Sequence, residues 1–175
     1  MTTYVALLRG INVGGSKKVP MAELRQLLTG LGWTGVRTYL QSGNAVFITD
    51  DGDPGPLLER TLAAHFGFEV RCLVLTAAEL RAVAAACPIP ADELDPAKVL
   101  VMFLEQAPEP GALDGVDREA HAPEEFRLVD RAVYCHFPDG MGRSKLPDAL
   151  AAALPGTLMT GRNWRTVRRL IELTS

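Results

Sequence analysis

The sequence predicts an α+β protein: a ferredoxin-like βαββαβ unit over residues 1–76, then a second α+β unit over residues 77–175 that repeats the element order. Three observations carry this expectation. Strand-like and helix-period runs alternate as β-α-β-β-α-β over the first 75 residues. The same order recurs after residue 98. Gly, Pro, Asn and Asp clusters separate the runs at turn positions.

Tyr4–Leu8 is a short apolar run bounded by Gly10, Gly14 and Gly15, and reads as a strand. Val19-Pro20 opens a helix with proline in the first turn. Met21, Leu24, Leu27 and Leu28 keep helical spacing, and Gly30 and Gly32 close it. Val36–Leu40 and Ala45–Ile48 are strands joined by Gln41-Ser-Gly-Asn44. Pro56–Phe66 is a second helix, Glu69–Leu75 a fourth strand and Ala77–Cys87 a connecting helix, followed by the turn-rich Pro88-Ile-Pro90. Lys98–Glu105 then reads as a strand, Pro108–Val116 as a short helix, and Phe126–Val129 with Ala132–Phe137 as strands around Asp130-Arg131. Lys145–Leu154 is a helix, Thr157–Thr160 a short strand and Trp164–Leu173 a closing helix. Arg37-Thr-Tyr-Leu40 with Asn44-Ala-Val-Phe47 lies over Phe126-Arg-Leu-Val129 with Arg131-Ala-Val-Tyr134, which points to pseudo-duplication.

Composition narrows the function classes. Hydrophobic residues at 47% suffice for a core, and the apolar runs are too short to span a bilayer. Met1-Thr-Thr-Tyr4 leads straight into a strand without a signal-like segment, so a cytoplasmic, non-membrane protein is expected. Cys72, Cys87 and Cys135 form no CxxC pair, and His65, His121 and His136 have no ligand-type spacing. No metal, no disulfide framework and no cofactor are expected. Ser42 lacks the GxSxG setting of a hydrolase nucleophile. A net charge of −3 conceals an asymmetry. Residues 1–49 hold five basic residues against Glu23 alone, residues 50–130 hold six against 17 acidic, and residues 131–175 hold seven against three. Two basic ends suit an anionic ligand, whereas a pI near 5.6 argues against a surface that coats long nucleic acid.

The site follows from the topology. In a ferredoxin-like sheet, strand three lies between strands one and two, so the loop after strand one and the 41–44 turn share an edge. That gathers Arg9, Gly10, Asn12, Gly14, Gly15, Lys17 and Lys18 with Gln41, Ser42 and Asn44. Glycine amides opening onto a helix start make an anion cradle, to which Arg and Lys add charge-assisted contacts. The segment Gly10-Ile-Asn-Val-Gly-Gly-Ser-Lys17 is not a P-loop: three residues precede Gly14, and Lys follows Ser. The alternative is that the glycines only make a tight turn. A second cluster, Gly140-Met-Gly-Arg-Ser-Lys145 and Thr160-Gly-Arg-Asn-Trp-Arg-Thr166, places Ser144, Lys145, Arg162 and Asn163 at expected helix starts. Arg162, Arg165 and Arg169 have helical spacing, with a solvated helix face the plainer reading of Arg165, Arg168 and Arg169, and a core anchor that of Trp164.

Tyr4-Val-Ala-Leu-Leu-Arg-Gly-Ile-Asn-Val-Gly-Gly15, Lys18-Val-Pro-Met21, Thr38-Tyr-Leu-Gln-Ser-Gly-Asn-Ala-Val-Phe47, Ser144-Lys-Leu146 and Thr160-Gly-Arg-Asn-Trp-Arg-Thr-Val167 together resemble domain-of-unknown-function family 1697. The resemblance spans nearly the whole chain and implies a bacterial, cytoplasmic α+β protein, with no catalytic residue to carry over. The chain departs from the family pattern at Arg165, where Asn is common, and at Ser16, where a basic or polar residue is common. Three functions are compatible with these observations. They are binding of a nucleotide or short nucleic acid at the basic edge, with Lys145, Arg162 and Asn163 contributing; metal-independent catalysis on a small phosphorylated metabolite; and a protein–protein scaffold. The sequence sets no oligomeric state.

Overall fold

The computed structural model describes all of residues 1–175 and divides into two compact units, Met1–Ala82 with Arg169–Ser175, and Val83–Arg168. The first contains β1 (Thr2–Leu8), α1 (Met21–Gly30), β2 (Thr34–Tyr39), β3 (Asn44–Thr49), α2 (Gly55–Phe66) and β4 (Cys72–Thr76). Its sheet has the order β2-β3-β1-β4, antiparallel throughout, which is the ferredoxin-like arrangement. Successive residues Tyr4–Leu8 are all buried, so β1 presents apolar side chains to both faces and reads as a continuous run. Ala6 and Leu8 join Leu24 and Leu28 of α1, Phe47 of β3, and Leu58 and Leu62 of α2 in one core. Trp33 stacks on Phe47 at 4.2 Å between centroids, and its indole N–H donates to Asp51 Oδ2 at 2.9 Å. Helix α3 (Ala77–Ala85) follows β4.

The second unit repeats the topology. Its elements are β5 (Val99–Leu104), α4 (Arg118–His121), β6 (Glu125–Val129), β7 (Ala132–His136), α5 (Leu146–Ala153) and β8 (Met159–Asn163), with α6 (Trp164–Leu173) beginning where β8 ends. The sheet order β6-β7-β5-β8 matches the first unit strand for strand, again antiparallel. Phe126, Val133, Cys135, Leu146 and Leu150 lie in its core. The α+β class and the two similar units expected from the sequence are both present.

β4 starts at Cys72 where Glu69 was expected, and two further elements differ from expectation. Residues 108–116, expected as a short helix, form turns: Pro108, Pro110, Gly111 and Gly115 interrupt any helical run. The helix starts two residues later as α4, where the Asp117 carboxylate accepts the Glu119 and Ala120 N–H groups. The last strand also runs further than the expected Thr157–Thr160. Pairing with β5 extends it through Gly161, Arg162 and Asn163, with Arg162 opposite Val101.

Candidate functional site

The loop after β1 is a miniature hairpin. Asn12 N–H donates to the Lys17 carbonyl at 3.1 Å and Ser16 N–H to the Val13 carbonyl at 3.2 Å. Gly14 and Gly15 sit between them at φ 61° and 78°, the paired positive angles of a two-residue hairpin turn. The glycines therefore shape a tight tip. Their own N–H groups find no acceptor within the protein.

Asn12 locks this hairpin in place. It takes φ 55°, a conformation that asparagine tolerates better than most residues. Its Nδ2 donates to the carbonyls of Val19 (3.0 Å) and Gln41 (2.7 Å), while Oδ1 accepts the Val19 N–H (2.8 Å). One side chain thus closes the loop on itself and ties it to the β2–β3 turn. In that turn Leu40 stands at φ 60°, and Gly43 is buried against Ile11 and Leu8. Asn44, fully buried, donates to the Tyr39 carbonyl and Ser42 Oγ. Asn12, Gly43 and Asn44 are the frame of the edge.

The exposed surface on that frame is basic with two apolar points. Arg9, Lys17, Lys18, Gln41 and Ser42 face solvent. Lys17 Nζ donates to the Glu69 carbonyl at 3.0 Å, whereas the side chains of Arg9 and Lys18 make no hydrogen bond or ion pair. Val13 and Leu40 are exposed at 67% and 51%, two of the three large apolar side chains that face solvent. Sequence reasoning missed Arg71, whose carbonyl accepts the Arg9 N–H at 3.0 Å and whose Nε lies 3.4 Å from Glu59 Oε1. The signal was in the topology: β4 pairs antiparallel with β1, so the residues leading into β4 stand beside the residues leaving β1.

The second cluster separates into different environments within its unit. Arg162 is a correction: it does not open a helix but lies inside β8, buried, donating to Thr160 Oγ1 and the Gly161 carbonyl, both at 2.8 Å. Burial pushes its pKa down to about 10. As a residue of β8 and not of α6, it shares no helix face with Arg165 and Arg169. Asn163 caps α6, its Oδ1 accepting the Thr166 N–H at 2.9 Å, and Ser144 Oγ accepts the Leu146 N–H at 3.1 Å. Lys145 remains exposed. Trp164 is a buried anchor bonded to Asp92 Oδ1 at 3.0 Å.

Cys72 and Cys135 are buried, and burial raises both thiols, that of Cys135 up to about 12; half-buried Cys87 is raised too, again chiefly by burial. At pH 8 a disulfide reagent is expected to label Cys87 in the native chain and the other two only on unfolding. Rapid labelling of all three would show that the two core thiols are reachable.

No three His, Cys, Asp or Glu side chains are grouped as metal ligands would be, and no helix is long and apolar enough to cross a membrane. A search of curated proteins finds no match. Among solved structures, the conserved bacterial protein SP0830 from Streptococcus pneumoniae shares the fold with a TM-score of 0.73. The two are 27% identical over 99% of this chain and 98% of that one. The family model described as "Protein of unknown function (DUF1697)" matches residues 1–134. With the motif-bearing β1 loop and the β2–β3 turn both inside that match, the chain belongs to the DUF1697 family.

Proposed function

We propose that the edge formed by the β1 loop and the β2–β3 turn binds a phosphate-bearing ligand, a nucleotide or a short nucleic acid. The observation that carries this is the pairing of unpartnered cations with a fixed backbone. The side chains of Arg9 and Lys18 make no hydrogen bond or ion pair within the protein, yet the loop bearing them is held by the three Asn12 hydrogen bonds. A backbone already held in place leaves only the side chains to be ordered when phosphate binds. The unpaired Gly14 and Gly15 N–H groups add donors beside them.

Wild type is expected to bind a labelled mononucleotide or short single strand. Two or three phosphate contacts would weaken strand binding roughly ten-fold between 50 and 200 mM salt. The double substitution Arg9→Ala/Lys18→Ala should lower affinity by about ten-fold or more with an unchanged melting temperature, since both side chains are exposed. Equal binding by the double variant, or none by wild type, would overturn the proposal. A second reading has its own observation: exposed Val13 and Leu40 at the same edge favour a protein partner. Under that reading, Val13→Ser with Leu40→Ser abolishes partner capture while nucleotide binding is absent.

A further inference from the structure

The second unit contains a cavity of about 500 Å³ between residues 120–124 and 139–144, within the size range of small-molecule sites. Both walls are held by backbone turns. Glu124 N–H donates to the His121 carbonyl at 2.9 Å on one side; Gly140 N–H to Phe137 (2.9 Å) and Ser144 N–H to Met141 (3.1 Å) close the other. A Cβ built on Gly140 or Gly142 meets no atom within 4 Å, so this backbone stands open.

The charges on the lining are of both signs and do not pair with one another. Arg143 shares the cavity with Glu124 and Asp139, yet none of the three side chains makes a hydrogen bond or ion pair. A simple anion drawn to Arg143 would meet two carboxylates, and a simple cation drawn to the carboxylates would meet Arg143. A ligand carrying both charges satisfies all three. Ala122 and Pro123 provide an apolar wall beside them. We propose that this cavity binds a small zwitterion with an apolar frame, the chemistry shared by free amino acids and dipeptides. Arg143 takes the carboxylate with its planar fork, and Glu124 with Asp139 takes the ammonium. This site is separate in residues and chemistry from the basic edge of the first unit.

The test is a thermal-shift and calorimetric screen of the full chain against the free amino acids and a dipeptide set, with acetate and ethylammonium as single-charge controls. Saturable stabilisation by at least one zwitterion is expected, with neither control matching it at equal concentration. Which set binds more tightly assigns the source. Arg143→Ala and Glu124→Gln should each weaken that binding at least ten-fold. Arg143 is exposed and unbonded, so its variant is expected to keep the wild-type melting temperature, and Arg143→Lys serves if it does not. No stabilisation by any zwitterion, equal stabilisation by acetate or ethylammonium, or unchanged affinity in the variants would each overturn the proposal.

Discussion

Gly43→Ala is expected to destabilise the chain by about 3 kcal/mol, with the melting temperature falling by roughly 6–12 °C for a protein of this size. Two independent costs add. A Cβ at residue 43 would stand 2.7 Å from Ile11 Cδ1 and 2.8 Å from Leu8 Cβ. The Ile11 tip can rotate away, but Leu8 Cβ is fixed to β1, whose Leu8 N–H donates to the Gly43 carbonyl at 2.9 Å. Relief therefore requires the turn to lift from the strand end, loosening the edge that the loop and turn share. The second cost is conformational, because φ is 93°, a region that residues with a Cβ rarely enter. Gly14→Ala separates the two. It also has positive φ (61°), but no atom lies within 4 Å of its Cβ, so a loss of only about 1 kcal/mol is expected. Chemical denaturation of the two variants beside wild type measures both. Equal midpoints for Gly43→Ala and Gly14→Ala would show that the turn is not packed as described.

Asn12→Ala should cost a comparable amount, about 3 kcal/mol. The substitution removes both Nδ2 donations and the Oδ1 acceptor for the Val19 N–H, at about 1 kcal/mol apiece. It also leaves alanine at φ 55°, which adds strain. Asn12→Asp is the sharper diagnostic. It keeps an acceptor for the Val19 N–H but points a carboxylate at the Val19 and Gln41 carbonyls, where the amide had donated. Its destabilisation is expected to equal or exceed that of alanine. Hydrogen exchange should speed at Val19 and in the 9–18 loop while the β5–β8 sheet keeps its protection. Wild-type stability in Asn12→Asp would mean that the side chain does not bridge loop and turn.

These two residues also mark how far the sequence could be read. Helical spacing at Met21, Leu24 and Leu28 and the apolar run at Tyr4–Leu8 announce their elements because burial on a regular period leaves a local trace. The shared edge of loop and turn followed from strand order alone, and Asn12 to Gln41 is the bond that realises it. Arg162 shows the opposite case. Thr160-Gly-Arg-Asn163 has no apolar alternation, so nothing local marks it as strand. Pairing with Leu100–Phe103 makes it one and buries the arginine. Asn163 stands at a helix start, as the sequence predicts, and its side chain caps that helix.

By itself, then, the amino-acid order determined the α+β class, the repeated βαββαβ order and the family motifs. The first two are written in local periodicity and turn chemistry, and the motifs in the identity of their residues. The tertiary structure decided which polar residues are frame and which are surface. It made Asn12 and Asn44 fixtures of the edge while leaving Arg9 and Lys18 unbonded upon it. It also brought His121, Glu124, Asp139 and Arg143 around one cavity. Hydrogen-bond partners separated by 29 positions in the chain, as Asn12 and Gln41 are, leave no periodic trace in sequence. Only chain packing sets which groups meet and which remain open to a ligand.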